Sequence, residues 1–420
     1  YSIAQNLQQK FYAGGGTTTN LSKDEKIDAN LYYENTIFNK QNGSAGTGAQ
    51  LNTGYVNQTT ENPYSTIGGA VQYTKNMNGI VDQVMTGVDV RNISGSNIIK
   101  NLSSAGAING LNYGKGIQNF YGILGQIKSK AESIPLETTL AARVDYWSSQ
   151  TPVDYNAGAG AANPVYQNIP NQNKTQLSPT LGLLYQATKE LDFRSSAYQA
   201  FHAPGMNNQL RSYGNSSSGF YFGNPNLTPE TMTGYEIGSD YRWKSGFVQA
   251  TGFNNFIRNA VATYKLSGAS NADIDLAKQL CGTTGNPLAA VQAGSPCTST
   301  TLNYYTNAQN IQSQGLEFQY HHDLNSHWAF DGGYSYIRTV LTWSATTDPT
   351  NTQVGGVPMN MANAGVTYYP VPQASLTTTV RYVGNSWMAT GSLPVPAYAV
   401  VGLKANYQVT PQAQVFASVV

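Results

Sequence analysis

The sequence predicts an all-β protein, a transmembrane antiparallel β-barrel, on three observations. Apolar and polar residues alternate with period two over stretches of ten or more residues. Only 11% of the 420 residues are charged, against roughly 25% in an ordinary soluble protein. Short turns alternate with long polar loops, the asymmetry of barrels whose strands cross a bilayer.

Composition removes several alternatives. Lys and Arg total 23 against 22 Asp and Glu, a net charge of +1, so there is no basic footprint for nucleic acid. Mean hydropathy is −0.35, and no apolar run approaches the ~20 residues of a spanning helix. The longest, Leu393 to Leu403, holds two prolines and ends at Lys404. With 29 Tyr and 11% aromatic residues, the chain lacks the aromatic-poor, highly charged character of disorder. Abundant Gly, Tyr, Thr, Ser and Asn suit a barrel that is apolar outside and polar inside. A soluble propeller or sandwich is the alternative, but its surface needs more charge than this chain supplies.

The period predicts sixteen strands, over about 1–12, 26–39, 66–76, 82–94, 115–130, 136–150, 173–187, 191–203, 231–243, 247–264, 303–323, 327–342, 358–370, 373–385, 396–408 and 412–420. In the sixth, Leu136, Thr138, Leu140, Ala142, Val144 and Tyr146 share one face, and Glu137, Arg143 and Asp145 the other. Trp147 breaks the rule near the strand end. In the ninth, Tyr235, Ile237, Tyr241 and Trp243 oppose Glu236, Gly238, Asp240 and Arg242. Charge thus keeps to one parity, as a hydrated lumen against a lipid face requires. Tyr146-Trp147, Tyr241 with Trp243, and Tyr368-Tyr369 sit near strand ends, where interfacial aromatic belts form. Tight turns are expected near 77–81, 131–135, 188–190, 244–246, 324–326, 371–373 and 410–411. Long loops are expected near 41–65, 95–114, 151–172, 204–230, 265–302, 343–357 and 386–395. No helical periodicity stands out, and no linker divides the chain. One domain over 1–420 is expected. Neither end reads as a natural terminus: Tyr1-Ser2-Ile3 lacks Met, and Val419-Val420 stops within an apolar alternation.

The two cysteines, Cys281 and Cys297, flank a loop of small residues. An isolated pair of this kind favours a disulfide and an oxidising compartment; two free thiols are the alternative. Closing a loop of ~15 residues contributes about 3 kcal/mol by chain entropy. No neighbouring His or Cys completes a metal site. His321 and His322 point to opposite strand faces and read as interface residues. There is no P-loop, G-x-G-x-x-G or G-x-S-x-G motif, so neither an enzyme nor a resident cofactor is expected.

A series of motifs then narrows the class. Gly223-Asn224-Pro225-Asn226-Leu227-Thr228-Pro229-Glu230 is similar to "gNPnLkPE" of TonB-dependent outer-membrane receptors. Tyr235-Glu236-Ile237-Gly238 resembles the family's "yElG", and Asn310 with Gly315-Leu316-Glu317 its "N...G.E". Leu177-Ser178-Pro179 to Tyr185 and Tyr198 to Pro204 resemble two further strands, although His202 stands where the family commonly has Arg. That departure puts in doubt any carried-over salt bridge at this position.

The resemblance implies a twenty-two-stranded barrel around an N-terminal plug, with about sixteen strands here and the plug, first strands and last strand absent. It implies the outer membrane of a Gram-negative bacterium, contact with lipid and lipopolysaccharide, and partnership with TonB and its inner-membrane energising complex. It also implies uptake of a scarce small-molecule ligand, most often a metal chelate such as a ferric siderophore. A passive sixteen-stranded porin and a structural outer-membrane protein are the alternatives.

Asn224-Pro225 favours a turn, and Pro229 forces Thr228 towards extended geometry. Together they steer a long loop back into the ninth strand. Leu227, Glu230, Glu236, Gly238, Gly315 and Glu317 complete the motif residues, read chiefly as wall scaffold, with direct substrate contact as the other reading. Candidate ligand contacts are the loop residues Arg211, Tyr213, Phe220, Tyr221, Phe222, Tyr304, Tyr305 and Trp387, because exposed rings stack on flat ligands. An aromatic girdle, or packing of loop on loop, is the alternative role for these rings.

Overall fold

The computed structural model describes residues 5–44, 54–131, 133–158, 161–164, 169, 171–215, 219–266, 271–281, 301–346 and 348–420. From the first of these, β1 (Gln5–Asn20) pairs antiparallel with β2 (Glu25–Ser44), and the ladder continues through β3 (Tyr55–Asn76), β4 (Val81–Leu102), β5 (Ile108–Lys130) and β6 (Leu136–Gly158). A short strand, β7 (Ala161–Pro164), folds back on β6, which also pairs with β8 (Gln172–Gln186), followed by β9 (Leu191–His202). The loop after β9 holds the helix α1 (Met206–Leu210) and a small hairpin, β10 (Tyr213–Asn215) with β11 (Gly219–Phe222). The ladder resumes with β12 (Glu230–Trp243) and β13 (Gly246–Lys265). After the helix α2 (Asn271–Cys281) come β14 (Leu302–Asn325), β15 (Trp328–Ser344), β16 (Asn360–Val371) and β17 (Ala374–Val383). A second hairpin, β18 (Ser386–Trp387) with β19 (Pro394–Val395), precedes β20 (Tyr398–Thr410) and β21 (Ala413–Val419). Sixteen long strands therefore form one antiparallel wall. Among the described residues β1 pairs only with β2, and β21 only with β20.

The alternation read from the sequence sorts the two faces of this wall. Ile237, Leu31 and Ile123 are 69%, 64% and 62% exposed on the outer face, whereas Asp145 and Asp240 are each 5% exposed on the inner one. Aromatic rings gather near the short-turn end. Trp243 packs on Tyr241 at 5.7 Å and Tyr320 at 6.2 Å, and Trp328 on Tyr368 at 4.6 Å. The Trp243 indole Nε1–H donates to His322 Nδ1 at 3.1 Å, while His321 turns to the other face and meets Asp331 at 2.8 Å. Among the described residues no helix is long and apolar enough to cross a membrane.

The structure corrects the sequence reading in several places, first at the long loop expected over 41–65, where β2 runs on to Ser44 and β3 already begins at Tyr55. The stretch 95–114 is not a long loop: β4 and β5 stay paired to Leu102↔Ile108, leaving only a short turn at 103–107. The polar residues there belong to a hairpin that continues beyond the apolar band. The gap expected at 13–25 is mostly strand, with the turn confined to 21–24. Gly14-Gly15-Gly16 reads locally as loop but pairs with Asn30 to Tyr32, and the Tyr12 ring fills the space beside Gly14, 2.7 Å from where a Cβ would lie. Lastly, α1 and α2 were not legible as helices; both are short and sit within loops of small polar residues.

Candidate functional site: a capped lumenal cavity beneath an aromatic loop cluster

At the long-loop end, the sequence-predicted rings come together, but on one another. The Tyr213 and Tyr221 rings stack at 5.1 Å and 8°, and the Arg211 guanidinium lies 4.2 Å over Tyr213. The Tyr213 and Tyr305 hydroxyls are 3.5 Å apart. β11 runs parallel to the start of β14, setting Phe220 beside Leu302 and Phe222 beside Tyr304. Phe222 is 1% exposed and joins Leu266, Ala277, Leu280, Cys281 and Leu302 in an apolar core built on α2. Cys281 is disulfide-bonded, and Cys297 lies outside the described residues. Tyr305 stands twenty positions before the short-turn end of β14. At ~3.3 Å per residue that is roughly 66 Å along the strand, beyond an apolar band ~25 Å tall. Burial, then the Tyr213 hydroxyl, pushes the Tyr305 phenol well above the usual tyrosine range. Trp387 lies apart in β18, opposite Pro394.

The motif residues act as joinery between loop and wall. The Asn224 amide donates to the Tyr305 carbonyl at 2.8 Å, and its Oδ1 accepts from Asn226 N at 2.9 Å. Pro225 and Leu227 are buried. Asn307, which the motif series did not include, clasps this turn. Its Oδ1 accepts from Thr228 N at 3.0 Å, and its Nδ2 donates to the carbonyls of Thr228 at 2.9 Å and Asn259 at 2.7 Å. Pro229 is buried just before β12, where Glu230 accepts from Val261 N at 2.6 Å and meets His202 Nδ1 at 3.3 Å. That contact occupies the rim position where the family commonly carries Arg. Glu236 accepts from the Tyr198 hydroxyl at 2.8 Å on the inner face. Gly238 gives room to Arg194, which pairs with Asp240 at 3.3 Å. Gly315 faces the Phe253 ring, and Glu317, in register with Thr251, is exposed on the inner face.

Beneath this layer, the loop after β9 turns into the lumen and seats α1 on β4 and β5. Gln118 Nε2 donates to the Pro204 carbonyl at 2.9 Å and to Gln209 Oε1 at 2.8 Å, and Asn112 Nδ2 donates to the Ser212 carbonyl at 2.9 Å. Gln209 and Leu210 are buried by this docking. The loop caps a cavity of about 1160 Å³ enclosed by β2 to β6, β8 and β9. Its floor carries Arg143, whose guanidinium reaches Asp89 at 2.6 Å and Asp145 at 2.6 Å. Its wall carries Arg91, with Cζ 4.1 Å over the Phe120 ring. None of the eight predicted ligand contacts lines this cavity. Arg91, Asn97 and Phe120 were missed, although the inward parity of β4 and β5 marks all three. Among the described residues there is no cluster of His, Cys, Asp or Glu able to hold a metal.

An antiparallel wall of long strands with an apolar outer face and a charged inner one defines the class: a transmembrane β-barrel. The profile of the family described as "TonB dependent receptor-like, beta-barrel" matches residues 3–420, and the chain belongs to that family. Among solved structures it is similar to the ferric yersiniabactin uptake receptor FyuA from Yersinia pestis, at 12% identity and TM-score 0.68 over 98% of this chain and 55% of that one. It is also similar to the copper transporter OprC, at 14% and 0.69 over 99% and 58%. The siderophore receptor PiuA from Acinetobacter baumannii is similar at 12% and 0.69 over 99% and 60%. The chain thus spans between 55% and 60% of the length of these structures. No curated protein sequence matches it.

Proposed function

We propose that this chain is the wall of a Gram-negative outer-membrane importer that takes up a scarce small molecule, a metal chelate of the ferric-siderophore kind. The observation that supports this reading is the inward-folded loop, seated on β5 by Gln118, which would keep a ligand in the lumenal cavity of about 1160 Å³ rather than pass it freely. The unpaired edges of β1 and β21, and the greater length of the similar structures, support further strands that close the wall and a plug within it. TonB and its inner-membrane energising complex would act through that plug, and lipid and lipopolysaccharide would cover the outer face. The work is differential affinity between plug states, as coupled transport requires, with no covalent step.

Uptake of radiolabelled ferric chelates by a deletion strain and its complemented parent tests the reading. Uptake that requires both this protein and an intact TonB supports it. Uptake that continues without TonB, or ion conductance of an open pore in planar bilayers, points to a passive porin instead. Loss of neither uptake nor conductance on deletion leaves a structural role.

A further inference from the structure

The outer face of β12 to β15 departs from the apolar pattern at one level. Cross-strand register sets two adjacent rows of outward side chains there: Ile237, Gly252, Leu316 and Tyr336, then Tyr235, Asn254, Gln314 and Arg338. Because Gly252 has no side chain, the first row dips, and a groove of about 500 Å³ opens between Tyr235 and Ile237 on one side and Leu316 and Tyr336 on the other. Six positions separate Gln314 from Tyr320 of the aromatic belt, roughly 20 Å of strand and about 15 Å of height at a tilt of ~40°. The second row thus lies within an apolar band ~25 Å tall, in its half nearer the long loops. A cation and two carboxamides facing lipid there are costly unless they are satisfied. Gln312, one row farther out, fixes how the carboxamides point. Its Nε2 donates to Asn254 Oδ1 at 3.0 Å and to Gln314 Oε1 at 3.3 Å. Both carbonyl oxygens are thereby engaged, and both NH2 groups are left as donors. Arg338, in register with Gln314, adds a guanidinium. The ion pairs of these strands, Arg194–Asp240, Arg242–Asp192 and His321–Asp331, all lie on the inner face. Among the described residues, no carboxylate stands on the outer parity of β12 to β15.

We propose that this groove holds one phosphorylated lipid of the outer leaflet, with an acyl chain lying over Gly252 and a phosphate received by Arg338 and the Asn254 and Gln314 amides. Amide donors and a cation above an apolar groove are the complement of an anion carried on an acyl chain. The Arg fork matches phosphate oxygens bidentately. Its aliphatic stem can lie along the sheet while the charged head reaches the headgroup level. Arg258, exposed on the outer parity of β13 two rows farther out, adds positive charge on the headgroup side. A lipid elsewhere in the shell around the wall meets apolar side chains at this depth; the polar row sets this position apart. The groove lies on the opposite side of the wall from the lumen, so the inference is independent of what the barrel carries.

The test extracts the protein, as the cell produces it, from outer membranes in mild detergent and reads retained lipid by native mass spectrometry. One phosphorylated lipid per chain is expected on the wild type. Arg338→Gln, and Gly252→Phe, which fills the groove without changing charge, should each lower its occupancy about tenfold. Arg338→Lys should keep part of it. Lys100→Gln removes a cation from the outer parity of β4 and should leave occupancy unchanged. Delipidated protein is then titrated with diphosphorylated lipid A, the same lipid without its phosphates, and inorganic phosphate. Lipid A is expected to bind about tenfold or more tightly than either. Heat-modifiable gel mobility confirms that each variant is folded. Occupancy unchanged in both groove variants, or equal binding of the dephosphorylated lipid or of inorganic phosphate, overturns the inference. So does a chain recovered without lipid, and a lipid-free dimer would give the face to a second copy of the chain. Each of these outcomes leaves the uptake reading standing, because the chelate assay tests that separately.

Discussion

Arg143 on β6 reaches across β5 to Asp89 on β4, with Nη1 2.6 Å from Oδ2 and Nη2 3.0 Å from Oδ1. Two strands that are not neighbours are tied through the lumen because the residue between them is Gly122. A Cβ on Gly122 would lie 2.0 Å from the Arg143 guanidinium and 2.7 Å from Asp89 Oδ2. The guanidinium is anchored from its other side by Asp145, so the fork is held over the glycine and the cavity floor stays flat.

Gly122→Val is therefore expected to displace this fork. Overpacking of this kind costs about 1–3 kcal/mol. Gly125→Val on the same strand is the control, because nothing lies within 4 Å of its Cβ position. Urea unfolding in detergent micelles should show a lowered midpoint for the first variant and little change for the second.

Asn307 holds the turn before β12 by bonds to Thr228 and Asn259. Asn307→Ala leaves those backbone groups to water and should loosen the segment by about 1–2 kcal/mol. Amide hydrogen exchange is the measurement: faster exchange across 226–230 with an unchanged rate in the centres of β12 and β13. Equal acceleration in the wall would show that the clasp is not local.

The two faces of the wall should respond oppositely to charge. Ile237→Lys places an ammonium on the outer face and should cost about 2–4 kcal/mol if it lies near mid-bilayer. Thr180→Lys places it in the lumenal cavity, where it stays hydrated, and folding should change little. Folding yield into lipid vesicles compares the two, and equal yields would contradict the assignment of faces.

A peptide linking Cys281 to Cys297 is expected in unreduced digests, and two alkylated thiols would refute it. Reduction should raise hydrogen exchange around Leu280 and Leu302, which pack together in the loop core, because the bond contributes about 3 kcal/mol by chain entropy. The wall strands should remain protected.

Much of the wall was legible because its information is local. Ile237 and Glu236 take opposite faces for the same reason that any neighbours on a strand do, and charge on the lipid side is too costly to be common. Sixteen strands, their order and their inward residues follow from that period. The hairpin of β4 and β5 was misread because its inner face above the apolar band, with Asn97 and Asn112, is polar yet buried under the loop after β9, so the apolar alternation fades. Gly14 to Gly16 was misread because its ladder partner lies in β2, and propensity says nothing of that pairing.

The loops obey no period, and their fate rests on contacts made far along the chain. The sequence marks Tyr213, Tyr221 and Phe222 as exposed rings; the fold stacks the first two and buries the third against α2. Gln118 and Gln209 are ninety-one positions apart, yet their bond turns a surface loop into a lumenal cap. Sequence alone determined the wall and its membrane character, through a two-residue repeat that each strand carries by itself. Only the tertiary structure decided where the cavity lies and that Arg91 lies over Phe120 within it, because burial and pairing depend on strands and loops brought together from far along the chain.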